Sequence, residues 1–294
     1  MIEQMLATKA LLEEVGTTPK PGLVDRLSSG GHTDMDYHTF VASTQALEPF
    51  FGKMARVGKH WKGSLQDLFL EIRKIGLQAE EAMFKATGGV NTHKGMLFSV
   101  GLLCAASGYA RENFASTRPA LVCSLVISMT KTILEEELAR IPHKEQLTHG
   151  EQLYVREGIQ GIRGEVLQGF ASVRTLSLPW YGEYLHQGRD PNLARLQVLL
   201  NLMAHVADTN VLYRHGEHTL SYVQTSALQI LQKGGAFTEE GLALIAEMDK
   251  TCTEKRISCG GSADLLGVTI FLYDLLLLDQ QMQKDMGEEK IVNW

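Results

Sequence analysis

"MLFSVGLLCAASGYA", residues 96–110, contains almost only apolar and small residues. This composition predicts a helix at the centre of a hydrophobic core. On both sides of it, apolar residues recur at spacings of three and four, which is typical of amphipathic helices. The periodicity predicts further helices over 2–16, 35–56, 64–86, 119–139, 145–158, 164–176, 192–207, 219–233, 238–254 and 262–280.

The chain offers no run of alternating residues long enough to predict a β-sheet. "ALVCSLVIS", residues 120–128, could form a buried strand, but it continues directly into the strongly helical "MTKTILEEELAR". The predicted fold is therefore all-α. Because no linker, low-complexity tract or repeat divides the 294 residues, a single-domain multi-helix bundle over 1–294 is the simplest architecture.

Charge and composition exclude several classes of protein. The net charge of −6 argues against nucleic-acid binding, which requires a basic face. The apolar stretch 265–278 is interrupted by Asp274 and is shorter than the ~18 residues that suggest a membrane span. No C-x-x-C pair occurs, and the N-terminal segment lacks the apolar region of a signal peptide. We therefore expect a cytoplasmic protein with reduced cysteines in its core and no membrane partner, and a homodimer is left open.

Six segments between the predicted helices combine glycine with charged or amide residues. They are "TPKPGLVDR" (18–26), "GGHTDMD" (30–36), "GGVNTHKG" (88–95), "GIRGE" (161–165), "DTNVLYRHG" (208–216) and "SCGGSADLL" (258–266). Connections in a helical bundle need only be short and polar. The composition of these six segments therefore predicts one polar site assembled from inter-helix loops and helix termini.

The first segment can hold a cation on a stiff loop. Pro19 and Pro21 fix φ, so Lys20 lies on an extended stretch. A rigid loop loses less entropy than a flexible one when it binds a ligand. Lys20, Asp25 and Arg26 are therefore candidate binding residues, and the alternative is a solvated turn.

The segments 30–36 and 88–95 each precede an apolar helix and place charged residues at its N-terminal end. Asp34 and Asp36 are either an N-cap with acid in the first turn or a carboxylate pair for Mg²⁺. Thr92 can cap the following helix, and His93 and Lys94 then stand in its first turn. Cations at a helix N-terminus oppose the dipole, which indicates that an anion binds there.

The segments 161–165 and 208–216 supply acids and cations. Asp208 follows the apolar run "LQVLLNLMAHVA", so it is predicted at a helix C-terminus, where an acid is unfavourable. With Asn210 and Arg214 it is a candidate for metal binding or for hydrogen bonds to ribose, the alternative being an Asp–Arg ion pair. Arg163 and Glu165 lie between glycines, and Glu165 is a candidate general base.

The segment 258–266 combines a glycine pair with a predicted helix N-terminus. Ser262 fits an N-cap and Asp264 fits the first turn. Gly260 and Gly261 would also allow the backbone to approach a phosphate closely. Since no Ser-His-Asp order, H-E-x-x-H or G-x-G-x-x-G occurs, these residues together predict a Mg²⁺-assisted enzyme that acts on a phosphorylated or nucleotide substrate.

In order and spacing, the six segments resemble the signature blocks of the triphosphoribosyl-dephospho-CoA synthase family, over about residues 10 to 275. The family implies that ATP gives its 5-triphosphoribosyl unit to a ribose hydroxyl of 3′-dephospho-CoA, with loss of adenine and inversion at the sugar carbon. Its product is passed to the enzyme that modifies the acyl carrier subunit of citrate lyase. A branch of the family serves malonate decarboxylase, and family members are helical.

The resemblance implies a role for each candidate residue. Lys20 and Asp25 would stand at the mouth of a polyphosphate site, and Mg²⁺ would be the cofactor. The implied catalytic residues are Asp208, Glu165 and His93, the implied substrate-binding residues are Lys20, Asp25, Arg26, Thr92, Lys94, Arg163, Asn210, Arg214, Gly260, Gly261 and Ser262, and the implied metal ligands are Asp34, Asp36 and Asp264. Three alternatives stay open: the same reaction serving malonate decarboxylase, a Mg²⁺-dependent helical N-glycosyl hydrolase, and a helical adaptor without activity.

Overall fold

The prediction of an all-α fold is confirmed by a computed structural model that describes residues 1–285 and 287. Within those residues there are thirteen α-helices and no strand. They are α1 (Ile2–Gly16), α2 (Tyr37–His60), α3 (Leu65–Ala86), α4 (Lys94–Phe114), α5 (Pro119–Arg140), α6 (His149–Glu157), α7 (Gly161–Leu167), α8 (Leu178–His186), α9 (Pro191–His205), α10 (Thr209–His215), α11 (Glu217–Gln232), α12 (Glu239–Glu254) and α13 (Gly260–Asp285). The predicted single domain ran to residue 294; residues 286 and 288–294 lie outside the described part.

Two helices form the centre of the bundle, as the opening stretch predicts. On α4, nearly every residue from Met96 to Ala110 is buried. On α13, the buried residues run from Ser262 to Asp279. This second helix is long and apolar enough to cross a membrane, but 72% of its apolar window is buried inside the bundle. All four cysteines are buried and free, which confirms the expected core thiols.

The backbones of α2 and α4 touch where glycines replace side chains. A Cβ on Gly58 would collide with the carbonyl oxygen of Ala105, and one on Gly108 would collide with that of Ala55. We expect Gly108→Ala to lower the free energy of unfolding by about 1–3 kcal/mol, because neither backbone can move away inside a packed core. Gly76→Ala on α3 is the matched control, since its Cβ would meet only one methyl group at 3.9 Å.

The control should change stability in the opposite direction. Alanine at a helix interior position that has space is expected to stabilise by about 0.5–1 kcal/mol relative to glycine. Urea unfolding followed by circular dichroism measures both variants. Equal stability of Gly108→Ala and the unmodified protein would contradict the close contact of α2 and α4.

The predicted and observed helices differ mainly around the six segments. Two short helices, α8 and α10, were not predicted, and the segment 208–216 is helical over most of its length. The segment 161–165 belongs to α7, and α13 begins at Gly260 instead of 262. The predicted helix over 164–176 is in fact α7 followed by a π-helical turn, Val173–Ser177. Helix N-termini therefore lie where the sequence predicted loops.

Candidate active site

All six segments contribute to the wall of one cavity of about 1200 Å³. The N-terminal ends of α4, α6, α7, α10 and α13 meet there, and α1 and α2 add Glu14 and Phe40 to the wall. The predicted residues in the lining are Lys20, Thr92, His93, Lys94, Arg163, Glu165, Asp208, Asn210, Arg214, Gly260, Gly261 and Asp264. Asp25, Arg26, Asp34, Asp36 and Ser262 are not in the lining.

Lys20 does not lie at the mouth of the site, where it was predicted. Its side chain is only 2% exposed, and its ammonium group forms an ion pair with the buried carboxylate of Glu14 on α1. Burial raises the pKa of Glu14, although the positive charge of Lys20 opposes that shift. The pair therefore belongs to the floor of the cavity.

Asp264 and Asp208 lie beside this pair. Burial raises the pKa of Asp264 well above its usual range, and the negative charges of Glu14 and Asp208 add to the shift. The Asp264 carboxyl group packs against the first turn of α4, where a Cβ on Gly95 would collide with Oδ2. Three carboxyl groups thus share a region in which Lys20 pairs with one of them, that of Glu14.

Asp208 caps α10, whereas the sequence predicted it at the C-terminal end of a helix. Helix α9 ends at His205, and Asp208 Oδ1 accepts hydrogen bonds from the backbone N–H groups of Asn210 and Val211. Oδ2 accepts from the backbone N–H of Ser262 at 2.8 Å and from its hydroxyl at 3.1 Å. Burial raises the pKa of Asp208, and these donors oppose the shift. One carboxylate therefore joins the N-terminal ends of α10 and α13.

Ser262 accordingly does not cap α13, which begins two residues earlier. Its position against Asp208 explains why it is fully buried. The nearby glycines lie close to α10: a Cβ on Gly261 would approach the buried Asp208 carboxylate to 3.1 Å, and one on Gly260 would approach the terminal amide of Asn210 to 2.7 Å.

His93 and its neighbours form a polar chain at the start of α4. The sequence predicted Thr92 as the cap of this helix, and that prediction is wrong. The hydroxyl of Thr92 donates to Ser43 Oγ at 2.7 Å. The N–H of Lys94 instead donates to Asn91 Oδ1. Ser43 Oγ also lies 2.7 Å from His93 Nδ1. Burial, with a smaller contribution from Lys20, lowers the pKa of His93 to about 3. The imidazole is therefore neutral at pH 7.

Three cationic side chains, those of Lys94, Arg163 and Arg214, line the cavity and are called its cationic wall. Lys94 pairs with Glu80 at 2.5 Å, and Arg163 lies 3.6 Å from Glu151. Arg214 is exposed and forms no ion pair within the described residues. Glu165 accepts hydrogen bonds from the backbone N–H and the hydroxyl of Ser172. This wall can bind an anion and also presents a carboxylate.

The predicted residues outside the lining have structural contacts. Asp25 accepts from the backbone N–H groups of Lys20, Leu27 and Ser28, which closes the first loop. The Arg26 guanidinium packs against Gly16.

Asp34 and Asp36, the two acids predicted as a metal pair, lie on the surface. Asp36 caps α2 in a capping box with Thr39, whose backbone N–H lowers the pKa of the carboxylate. Asp34 is exposed beside His32. In the described part of the chain, no group of three His, Cys, Asp or Glu side chains could hold a metal ion by itself. A metal here would need ligand atoms from a substrate.

Two residues of the site were missed by sequence reasoning. Glu14 shares a face of α1 with the buried Ala7, Ala10 and Leu11 and with a second buried acid, Glu3. Acids at helical spacing among apolar residues were the available signal. Ser43 has a weaker signal, since serine is common in helices that pack closely. Its contact with His93 spans 50 residues and could not be read from local sequence.

Comparison with known proteins agrees with the resemblance. The model of a family described as ATP:dephospho-CoA triphosphoribosyl transferase matches residues 3–283. A relative from Citrobacter koseri, named as a probable 2-(5''-triphosphoribosyl)-3'-dephosphocoenzyme-A synthase, is 40% identical over 269 residues, which cover 91% of this chain and 88% of the relative. No solved structure matches the chain.

Proposed function

Because the chain belongs to the ATP:dephospho-CoA triphosphoribosyl transferase family, we propose that it moves the 5-triphosphoribosyl unit of ATP onto a ribose hydroxyl of 3′-dephospho-CoA and releases adenine. The observation that carries the proposal is the single cavity of about 1200 Å³ that all six segments line. Pockets for one small ligand usually have roughly 300–1,000 Å³. The larger volume supports simultaneous binding of two nucleotides, which a direct transfer requires.

The triphosphate chain would bind at the cationic wall. Lys94, Arg163 and Arg214 line the cavity, and the first turns of α4 and α13 offer partial positive charge to an anion. In this reaction the phosphates stay intact while the glycosidic bond breaks. The site therefore needs groups that hold three phosphates and none that attacks them, and cationic side chains meet that need.

Mg²⁺ fits the buried carboxylates better than the surface acids. Asp264 and Glu14 offer hard oxygen ligands in a region of excess negative charge. These two residues would hold the ion together with phosphate oxygens, and the surface acids Asp34 and Asp36 are left out of the proposal. When bound, Mg²⁺ would neutralise charge on the triphosphate and so favour its binding.

Two carboxylates would serve the transfer in different ways. Positive charge develops on the ribose as the glycosidic bond breaks. Asp208 already accepts four hydrogen bonds, so its proposed role is to hold the N-terminal ends of α10 and α13 in place. Its negative charge there also favours the developing cation. Glu165 lines the cavity and is only half-buried, and we assign it the proton of the incoming hydroxyl.

Mass spectrometry of a reaction with ATP, Mg²⁺ and 3′-dephospho-CoA tests the proposal. Free adenine and a triphosphoribosyl adduct of dephospho-CoA are expected together. Adenine without an adduct would indicate the N-glycosyl hydrolase, and no release of adenine would indicate an adaptor. We propose that the product serves citrate lyase, as the resemblance implies; a gene neighbourhood with malonate decarboxylase subunits and no citrate lyase subunits would overturn this assignment.

Arg214→Ala should weaken ATP binding more than it slows the chemical step. Loss of a charge-assisted hydrogen bond costs about 1.5–3 kcal/mol, so the KM for ATP is expected to rise about tenfold to hundredfold. The change in kcat should be small, because the triphosphate is bound equally in the ground state and the transition state. Arg140→Ala is the control, since Arg140 is exposed and pairs with Glu136 at 3.1 Å outside the cavity lining. An unchanged KM in Arg214→Ala would remove this residue from the phosphate site.

A further inference from the structure

The imidazole of His93 has one ring nitrogen with a partner and one without. The side chain is 1% exposed and lines the cavity. Nδ1 lies 2.7 Å from Ser43 Oγ, whereas Nε2 is buried and has no hydrogen-bond partner within the described residues. An unpaired buried polar atom is unfavourable, which indicates that a ligand supplies the partner.

The hydrogen bonds around Ser43 determine which nitrogen carries the proton. The hydroxyl of Thr92 donates to Ser43 Oγ, so the proton of Ser43 is free to point elsewhere. Nδ1 of His93 is the other polar atom within reach of Ser43. Ser43 therefore donates to Nδ1, and the ring proton of the neutral imidazole lies on Nε2.

The surroundings of Nε2 favour a neutral acceptor. Phe40 packs edge-on against His93, with ring centroids 4.8 Å apart, and lines the cavity with Leu23, Val24 and Met35. Phosphate would be poorly placed against this apolar wall. The cation whose charge acts on His93 is Lys20, which is already paired with Glu14. A purine ring has both the apolar faces and the ring nitrogens that such a surface can bind.

We propose that Thr92 and Ser43 hold His93 in its Nε2-protonated form, and that this N–H donates a hydrogen bond to a ring nitrogen of a bound adenine. This inference rests on the proposed function and refines the role of His93, which the resemblance implies is a catalytic residue. The donor keeps its proton throughout; the leaving adenine takes up one proton from solvent, which balances the proton that Glu165 removes from the incoming hydroxyl. If the adenine belongs to ATP, the hydrogen bond strengthens as electron density moves onto the leaving base. Ser43 is then a positioning residue.

The tautomer can be tested without any substrate. Long-range ¹H–¹⁵N spectra of histidine-labelled protein should show His93 with a protonated Nε2 and an unprotonated Nδ1, assigned by loss of the signal in His93→Gln. Ser43→Ala should yield a mixture of tautomers, and Ser43→Thr, which keeps the hydroxyl, should restore the single form. A proton on Nδ1 in the unmodified protein would overturn the proposal, whether or not the protein is a transferase.

The adenine contact can be tested with deaza nucleotides. Analogues of ATP and of dephospho-CoA that lack N1, N3 or N7 remove one acceptor at a time. One of these six analogues should lower kcat/KM about tenfold to hundredfold with the unmodified protein, the range expected for leaving a buried donor unpaired. The same analogue should lower the kcat/KM of His93→Leu only slightly, since this variant already lacks the donor. The analogue that shows this non-additivity identifies both the nitrogen and the substrate to which the adenine belongs.

Two matched variants separate the hydrogen bond from packing. His93→Gln keeps an N–H donor near the position of Nε2 and should retain more kcat than His93→Leu, which keeps only the bulk. Full additivity of every analogue with His93→Leu would overturn the adenine contact. If His93→Leu does not fold, Ser43→Ala replaces it in the same comparison. A transfer reaction that proceeds normally with all six analogues would refute this inference and leave the proposed function standing.

Discussion

Lys20→Met should destabilise the protein by about 3–5 kcal/mol, the range for a buried ion pair that loses one partner. The ammonium group of Lys20 pairs with Glu14, and both side chains are 2% exposed. Removing the cation leaves a carboxylate that burial already disfavours. Glu14→Gln/Lys20→Met should recover most of the lost stability, because the double variant buries no net charge.

The deficit of Lys20→Met should depend on pH. Loss of the cation raises the folded-state pKa of Glu14 further above the ordinary value of 4.5. A carboxyl group with a raised folded pKa contributes less stability as pH rises above its unfolded pKa, since the folded state must then give up the proton. The deficit should therefore be larger at pH 8 than at pH 5. Chemical unfolding at both values measures it.

Lys233→Met is the control for this experiment. Lys233 pairs with Glu240 at 2.9 Å, and both side chains are more than half exposed. Surface pairs of this kind contribute about 0–1 kcal/mol, so the variant should unfold almost as the unmodified protein does. A Lys20→Met variant as stable as Lys233→Met would show that Lys20 and Glu14 are not a buried pair.

Asp208→Asn is the second substitution with a large expected effect. The amide oxygen can replace only one carboxylate oxygen, so an N–H₂ group would face either two backbone N–H groups of α10 or the backbone N–H of Ser262. Leaving such buried donors unpaired costs about 1–3 kcal/mol each. We expect a loss of about 2–4 kcal/mol of stability and at least a hundredfold lower kcat, because the ends of α10 and α13 both line the cavity.

Asp190→Asn is the control for Asp208→Asn, because it makes the same change at another helix N-cap. Asp190 caps α9 through hydrogen bonds from the N–H groups of Asn192 and Leu193, but it is exposed and lies outside the cavity lining. Asparagine is as good an N-cap as aspartate, so stability and kcat should hardly change. Similar losses in both variants would show that capping alone, and not the link to Ser262, explains the role of Asp208.

The bundle was predictable because its long helices carry clear periodicity. The bounds of α3 and α12 were predicted to within one residue. The short α10 was not predicted, since seven residues hold fewer than two full turns and show no period. Because α10 was taken for a loop, Asp208 was predicted at the C-terminal end of α9, whereas it caps the N-terminal end of α10.

The composition of the six segments predicted their convergence, but not their contacts. Glycine with charge identifies where a site can form, and all six segments do line one cavity. Whether Lys20 meets a ligand or Glu14 depends on how α1 packs, which no local pattern encodes. The link from Ser43 to His93 is of the same kind, because it needs the relative placement of α2 and α4.

The central claim is that one cavity holds both nucleotides and transfers the intact triphosphoribosyl unit directly between them. The most direct measurement is the reaction of ATP, Mg²⁺ and 3′-dephospho-CoA in H₂¹⁸O, with adenine and adduct quantified by mass spectrometry. Direct transfer predicts equal amounts of adenine and an adduct that carries all three phosphates and no ¹⁸O. Adenine in excess, accompanied by ¹⁸O-labelled ribose triphosphate, would contradict it.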